Sequence, residues 1–174
     1  MTDLIILSTL LPGPKHGYQL KHEAGIILGQ GVLHNNLVYP LLRRFMNEKW
    51  VSRKTVPGER GQTRHRYAIT ALGRRELLSR LSTFTEQDAR SSDGFRFRVG
   101  MFQLLDEETR LRILDAREKH LNARLEKLSA VETNFPLDRY PSEVIRQFRS
   151  ETQSELEWIK RLRKIGRSGH RVIG

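Results

Sequence analysis

His34-Asn35-Asn36-Leu37-Val38-Tyr39-Pro40-Leu41-Leu42-Arg43-Arg44-Phe45 reads as one helix with two working faces. Leu37, Leu41, Leu42, Phe45 and Met46 recur at helical spacing and suit a core. Asn35, Asn36, Tyr39, Arg43 and Arg44 carry hydrogen-bonding or cationic groups suited to reading a nucleic acid. Pro40 lacks an N–H, which is tolerated in a first turn, where that group has no intrahelical partner. The spacing therefore predicts a helix start at 35–37 with Asn35 or Asn36 as N-cap.

Downstream, Trp50-Val51-Ser52-Arg53-Lys54-Thr55-Val56 is β-branched and aromatic, as a strand requires. Pro57-Gly58-Glu59-Arg60-Gly61-Gln62 supplies a turn, and residues 63–70 supply the returning strand. The result is a β-hairpin with a cationic rim behind a two-faced helix, the arrangement of a recognition helix followed by a wing. Strand alternation puts Arg64 and Arg66 on one face of that wing.

Working outward, Leu4, Ile5, Leu7, Leu10 and Leu11 predict a first helix capped by Thr2 or Asp3 and ended by Pro12-Gly13-Pro14. A second helix is expected from 15–17, turning Tyr18, Leu20, Ala24, Ile27 and Leu28 to the core, and Gly29-Gln30-Gly31 makes the next turn. Thr70 opens a fourth helix over 71–81, with Leu72, Leu77, Leu78 and Leu81 apolar. The polar stretch 82–94 reads as a linker and 95–105 as a short helix. Asp106 caps a long helix whose leucines at 111, 114, 121, 125 and 128 form a stripe. A last helix from Ser142 carries Ile145, Phe148, Leu156 and Ile159, with Trp158, Leu162 and Ile165 on an adjoining edge, and residues 166–174 form a basic tail. The expected class is mainly α with a small β-hairpin: a winged helix-turn-helix domain over 1–81, the linker, and an α-helical dimerisation domain over 95–165. Two such helices cannot enclose a large core, so Leu111, Leu114, Leu121, Leu125, Leu128, Ile145, Phe148, Leu156 and Ile159 are expected to pack against a second subunit.

Three motifs stand in order: His16-Gly17-Tyr18-Gln19-Leu20; Val38-Tyr39-Pro40-Leu41-Leu42-Arg43-Arg44-Phe45; and Tyr67-Ala68-Ile69-Thr70-Ala71-Leu72-Gly73. Residues 4–81 thereby resemble the winged-helix domain of the PadR family of transcriptional regulators. Val38, Phe45 and Ile69 stand where the family commonly has leucine or isoleucine. The likeness extends loosely over 97–128 and Glu155-Leu156-Glu157-Trp158, similar to the helical C-terminal domain that makes the homodimer in the longer members. The resemblance implies a homodimer on an inverted-repeat DNA operator. It also implies a small aromatic effector, with Trp158 as a contact.

The charge agrees. The 174 residues carry a formal net charge of +11, with 13 Lys or Arg against 5 Asp or Glu in 1–81 but 18 against 15 in 82–174. A polyanionic partner for the first half is the direct implication. Absence of cysteine excludes disulfides and thiolate metal sites, and no apolar run approaches the roughly 18 residues of a membrane span. With an acidic N-terminus lacking a secretory signal, a cytoplasmic protein is expected. Histidines at 16, 22, 34, 65, 120 and 170 have no metal-ligand spacing and no nucleophile motif is present, so neither an enzyme nor a cofactor is expected.

The candidate DNA contacts are Lys15, Tyr18, His34, Asn35, Asn36, Tyr39, Arg43, Arg44, Arg60, Arg64 and Arg66. Each has a plainer reading beside it. Tyr18 and Tyr39 are also packing residues, Asn35 and Asn36 also caps, and the arginines also a solvated face. Trp158 is more often a core or dimer residue than a ligand platform. The function expected is a sequence-specific transcriptional regulator, a homodimeric repressor released by a small molecule. The alternatives are a non-specific architectural DNA- or RNA-binding protein and a protein–protein adaptor on a winged-helix scaffold.

Overall fold

The stretch Leu4 to Leu7 is apolar all round, and a helix of that kind can only sit inside. In the computed structural model, which describes residues 1–29, 31–57, 63–136 and 138–168, it lies in α1 (Thr2–Thr9) with Ile5, Ile6 and Leu7 fully buried. The hydroxyls of Ser8 and Thr9 donate back to the carbonyls of Ile5 and Ile6, at 2.8 Å each, so no buried hydroxyl is stranded. Met1, not Thr2 or Asp3, is the N-cap. Asp3 instead lies in the first turn and accepts from Arg44 at 2.9 Å and Arg80 at 3.2 Å, tying α1 to α3 (Asn35–Asn47) and α4 (Ala71–Ser82). Burial pushes the Asp3 carboxyl up, but its backbone hydrogen bond and Arg44 outweigh this and hold it below its ordinary value. The tie therefore stabilises the fold above the unfolded-state value and is lost as pH falls through the folded one.

The first unit, Met1–Thr83, continues through β1 (Lys15–His16), α2 (Gly17–Ile27), α3, β2 (Val51–Pro57), β3 (Thr63–Ile69) and α4. The two strands pair as the sequence indicates, with Arg53 opposite Tyr67, Lys54 opposite Arg66 and Val56 opposite Arg64, while residues 58–62 of the expected turn lie outside the described residues. A third strand joins it. Lys15 and His16, expected to begin a helix, pair antiparallel with Tyr67 and Arg66, giving the order β1-β3-β2.

In α3 the core residues are Val38, Leu42 and Phe45, set one position from the Leu37 and Leu41 pattern. Leu37 is 40% exposed and Leu41 half-buried. His34 is the N-cap, not Asn35 or Asn36, which moves Pro40 into the second turn. In α2, Leu20 and Ala24 face inward, but Tyr18 and Ile27 are exposed. Gly25 is required by packing, since a Cβ there would lie 1.4 Å from the Gly31 carbonyl. Gly29 and Gly31 take positive φ as the predicted turn needs, while Gln30 between them lies outside the described residues. Thr70 caps α4, its hydroxyl accepting from the Gly73 amide at 3.0 Å.

The second unit, Phe84–Gly174, holds α5 (Glu86–Arg90), α6 (Ser92–Gly100), a 3-10 turn at Phe102–Leu104, α7 (Glu107–Asn134) and α8 (Arg139–Ser168). The polar stretch expected to be a linker is thus largely helical. Thr85 and Ser91 act as N-caps, and polar caps between short helices look like linker composition. Asp106 caps α7, accepting from the Thr109 amide at 2.7 Å. Helix α8 begins before Ser142 because Pro141 falls in its first turn, and residues 166–168 of the expected tail are helical. The rest of that tail lies outside the described residues.

Arg117 of α7 is 1% exposed and organises this unit. Its guanidinium meets Glu155 of α8 twice, Nε at 2.8 Å and Nη2 at 2.9 Å. It also donates to the Ala89 carbonyl of α5 and the Ser92 hydroxyl of α6, and stands 5.6 Å from the Phe95 ring centroid. Leu114, Leu121, Leu128 and Ile159 are buried within the chain, and Ile113 joins them. Within this unit α5 and α6 supply cover that two long helices alone would lack.

Replacing Arg117 alone strands Glu155, which is 11% exposed, whereas replacing both removes the mismatch. Arg117→Leu is expected to cost about 3–5 kcal/mol in urea unfolding, with Arg117→Leu/Glu155→Leu recovering more than half. A double variant no more stable than the single would show that the cation does not anchor this unit.

Candidate nucleic-acid interface

Gly17 opens α2 against the ring of Tyr39 from α3. A Cβ on Gly17 would stand 2.9 Å from the Tyr39 hydroxyl and 3.3 Å from its ring. The glycine of the first motif and the tyrosine of the second are thus two halves of one contact. Behind them Tyr67 of β3 is buried, and burial, with Tyr39 nearby, pushes its phenol above the ordinary value despite Arg53. These residues line a cleft of about 600 Å³, closed on the wing side by Thr63, Arg64 and His65 and on the α2 side by His16, Tyr18 and Gln19.

The cleft gathers Tyr18, Tyr39 and Arg64 from among the sequence candidates. Tyr18 is 66% exposed, which settles it as a surface residue rather than core. Asn36 and Arg43 lie on the exposed face of α3, and His34 is exposed at its start. Other candidates are engaged within the fold. Lys15 is ion-paired with Glu23 at 2.8 Å, Arg44 with Asp3, and Arg66 donates to the Pro14 carbonyl at 3.2 Å. Asn35 accepts from Lys21 at 2.8 Å. Arg60 lies outside the described residues.

Sequence reasoning missed His16, Gln19 and His65 as lining residues. The available signal was the extended pair Lys15-His16 before Gly17, which strand pairing to β3 brings beside the wing. Lys54 is also added, because register sets it opposite Arg66 on the exposed wing. Position and charge suit Lys54 to meet a phosphate.

In the second unit Trp158 packs edge-on against Phe95, ring centroids 5.7 Å apart, and is half-buried. A separate cavity of about 490 Å³ lies between the 3-10 turn, the start of α7 and the end of α8, and Trp158 does not line it. Among the described residues no three His, Asp or Glu side chains gather as a metal ion would require, and no helix is long and apolar enough to cross a membrane.

Residues 6–79 match the model of the transcriptional regulator PadR-like family. Among solved structures, the chain is similar to a transcriptional regulator from Clostridium thermocellum, at 25% identity over 45% of this chain and 76% of that one, TM-score 0.40. It is also similar to Bacillus subtilis PadR in complex with operator DNA, at 17% identity over 94% and 96% of the two chains, TM-score 0.46. The same Bacillus subtilis protein in complex with p-coumaric acid aligns at 17% identity over 94% and 97%, TM-score 0.43. No curated protein matches the sequence.

Two glycines test the packing logic of this site. At Gly73 a Cβ would sit 2.1 Å from the Trp50 carbonyl oxygen, so backbone must move, and Gly73→Ala is expected to cost about 1–3 kcal/mol. Gly17→Ala meets only the far end of the Tyr39 side chain and gains helix propensity. It should cost less than about 1 kcal/mol while shifting the NMR signals of the Tyr39 ring. Equal losses in urea unfolding would show that Tyr39 cannot give way.

Proposed function

Residues 6–79 make this chain a member of the transcriptional regulator PadR-like family, DNA-binding proteins and not enzymes, and from that premise we propose that it is a homodimeric repressor. It occupies an inverted-repeat operator in the cytoplasm and blocks transcription there. The observation that carries this reading is the cleft where the start of α2, Tyr39 and Arg64 converge beside the exposed Asn36 and Arg43 of α3. Arg64, Lys54 and the Tyr39 hydroxyl engage backbone phosphates, which supplies most of the affinity and fixes register. Asn36 and Arg43 reach base edges in the major groove. Lys15, Arg44, Arg66 and Asn35 support the interface by holding its elements in place, since their polar ends are already bonded within the fold.

In this reading the dimer contact is made by the apolar groups that the single chain leaves uncovered. Tyr140, Val144 and Phe148 recur at every fourth residue of α8, 81%, 51% and 39% exposed, and the half-buried Leu111, Leu125, Ile145 and Leu156 add to them. Two reading helices then stand about one turn of DNA apart, roughly 34–36 Å. A small aromatic effector, with Trp158 as a contact, releases the protein by binding the DNA-incompetent arrangement more tightly.

Selection of bound fragments from random duplex DNA at near-physiological salt is expected to return one inverted-repeat motif. Recovery of salt-sensitive binding with no motif would replace the repressor by an architectural protein. Arg64→Ala should weaken binding to all duplexes alike and lower the salt slope by about one. Arg43→Ala should relax preference at one position, by about 1–3 kcal/mol.

A further inference from the structure

We infer that the cleft beside His16 seats one phosphate of the DNA backbone and that the His16 imidazole donates to it only when protonated, so that DNA association takes up a proton. This rests on the DNA-binding reading above. His16 is held at two points. Its backbone N–H donates to Gln19 Oε1 at 2.9 Å, and its Nδ1 lies 3.1 Å from the His65 carbonyl oxygen. A carbonyl oxygen only accepts, so Nδ1 carries its hydrogen, and Nε2 is left as the nitrogen that gains and loses a proton. The half-buried ring lines the cleft together with Tyr39 and Arg64. It cannot turn away without giving up its bond to β3.

A neutral Nε2 is a lone pair and offers nothing to a phosphate oxygen. A protonated one is a charged donor, and a charge-assisted hydrogen bond is about twice as strong as a neutral one. The surroundings isolate this effect. On β1, Lys15 is neutralised by Glu23 of α2. On β3, Arg64 lines the cleft and Arg66 stands in register with His16, both guanidinium ions that stay charged. Tyr39 faces it from α3 and Tyr18 from α2, and burial raises the Tyr67 phenol above its ordinary value, so that it stays neutral. Histidine alone among these types ordinarily titrates between about pH 5 and 8. The remaining one is His65, whose Nδ1 faces the Thr55 hydroxyl at 3.4 Å on the wing.

The test is the affinity of the full chain for a mixed-sequence duplex at fixed low salt, from about pH 5.5 to about pH 8. Wild type should weaken as pH rises, by up to about tenfold per unit for one linked proton. His16→Gln, which keeps a donor but does not titrate, should flatten the profile, while His65→Gln and His34→Gln retain it. A second readout uses the unaltered protein: the NMR titration midpoint of the His16 ring should move up when duplex is bound. A flat wild-type profile, a slope that survives His16→Gln, or an unmoved midpoint each overturns the proton link. Absence of duplex binding at every pH overturns the DNA-binding reading beneath it, and so the two failures are told apart.

Discussion

Tyr39 lies across the start of α2, where Gly17 leaves room for its ring. At this contact two helices and a sheet meet. Tyr39 belongs to the helix that would read DNA, Gly17 to the helix behind it, and Tyr67, whose ionisation Tyr39 influences, to the central strand. A methyl group at position 17 would press on the far end of the tyrosine, which forms part of the cleft wall. Beside this contact β1 pairs with β3, and the wing becomes part of a three-stranded sheet rather than an isolated hairpin, which would be marginal in water.

A second set of contacts holds the back of the same unit. Asp3 receives Arg44 and Arg80 from two different helices, and the Arg80 guanidinium stacks 4.7 Å from the Trp50 ring centroid. These are partly exposed pairs, so each adds little stability by itself. Their effect is on orientation, because a carboxylate that accepts from two directions fixes α3 and α4 against α1. Arg44 consequently serves the position of α3, while Arg43, one residue away, remains on its exposed face.

The second unit solves a different problem with a buried cation. Arg117 satisfies the Ala89 carbonyl, the Ser92 hydroxyl and both oxygens of Glu155. A buried ion pair is seldom a net source of stability compared with apolar replacements, but it penalises every arrangement that leaves a charge unpaired. Four helices are thereby held to one packing. The apolar groups this packing leaves outside, led by Tyr140 and Val144, are where a partner surface has room to form.

Local pattern settled the kinds of element: the two-faced α3, the hairpin bracketed by Trp50 and Thr70, the Asp106 cap and the long leucine-bearing helix follow from periodicity, caps and turn residues within a few positions of each other. Those signals act through neighbouring backbone, so the sequence by itself determined them. Long-range packing decided the rest. Lys15 and His16 became a strand because β3 offered them hydrogen bonds, Val38 displaced Leu37 from the core by one position, and short capped helices stood where composition indicated a linker. The same holds at the interface. Arg43 and Arg44 are indistinguishable as adjacent basic letters, and only the presence of Asp3 opposite one of them separates the residue that braces from the residue that faces outward. Such partners are brought together by folding over distances that no local pattern encodes.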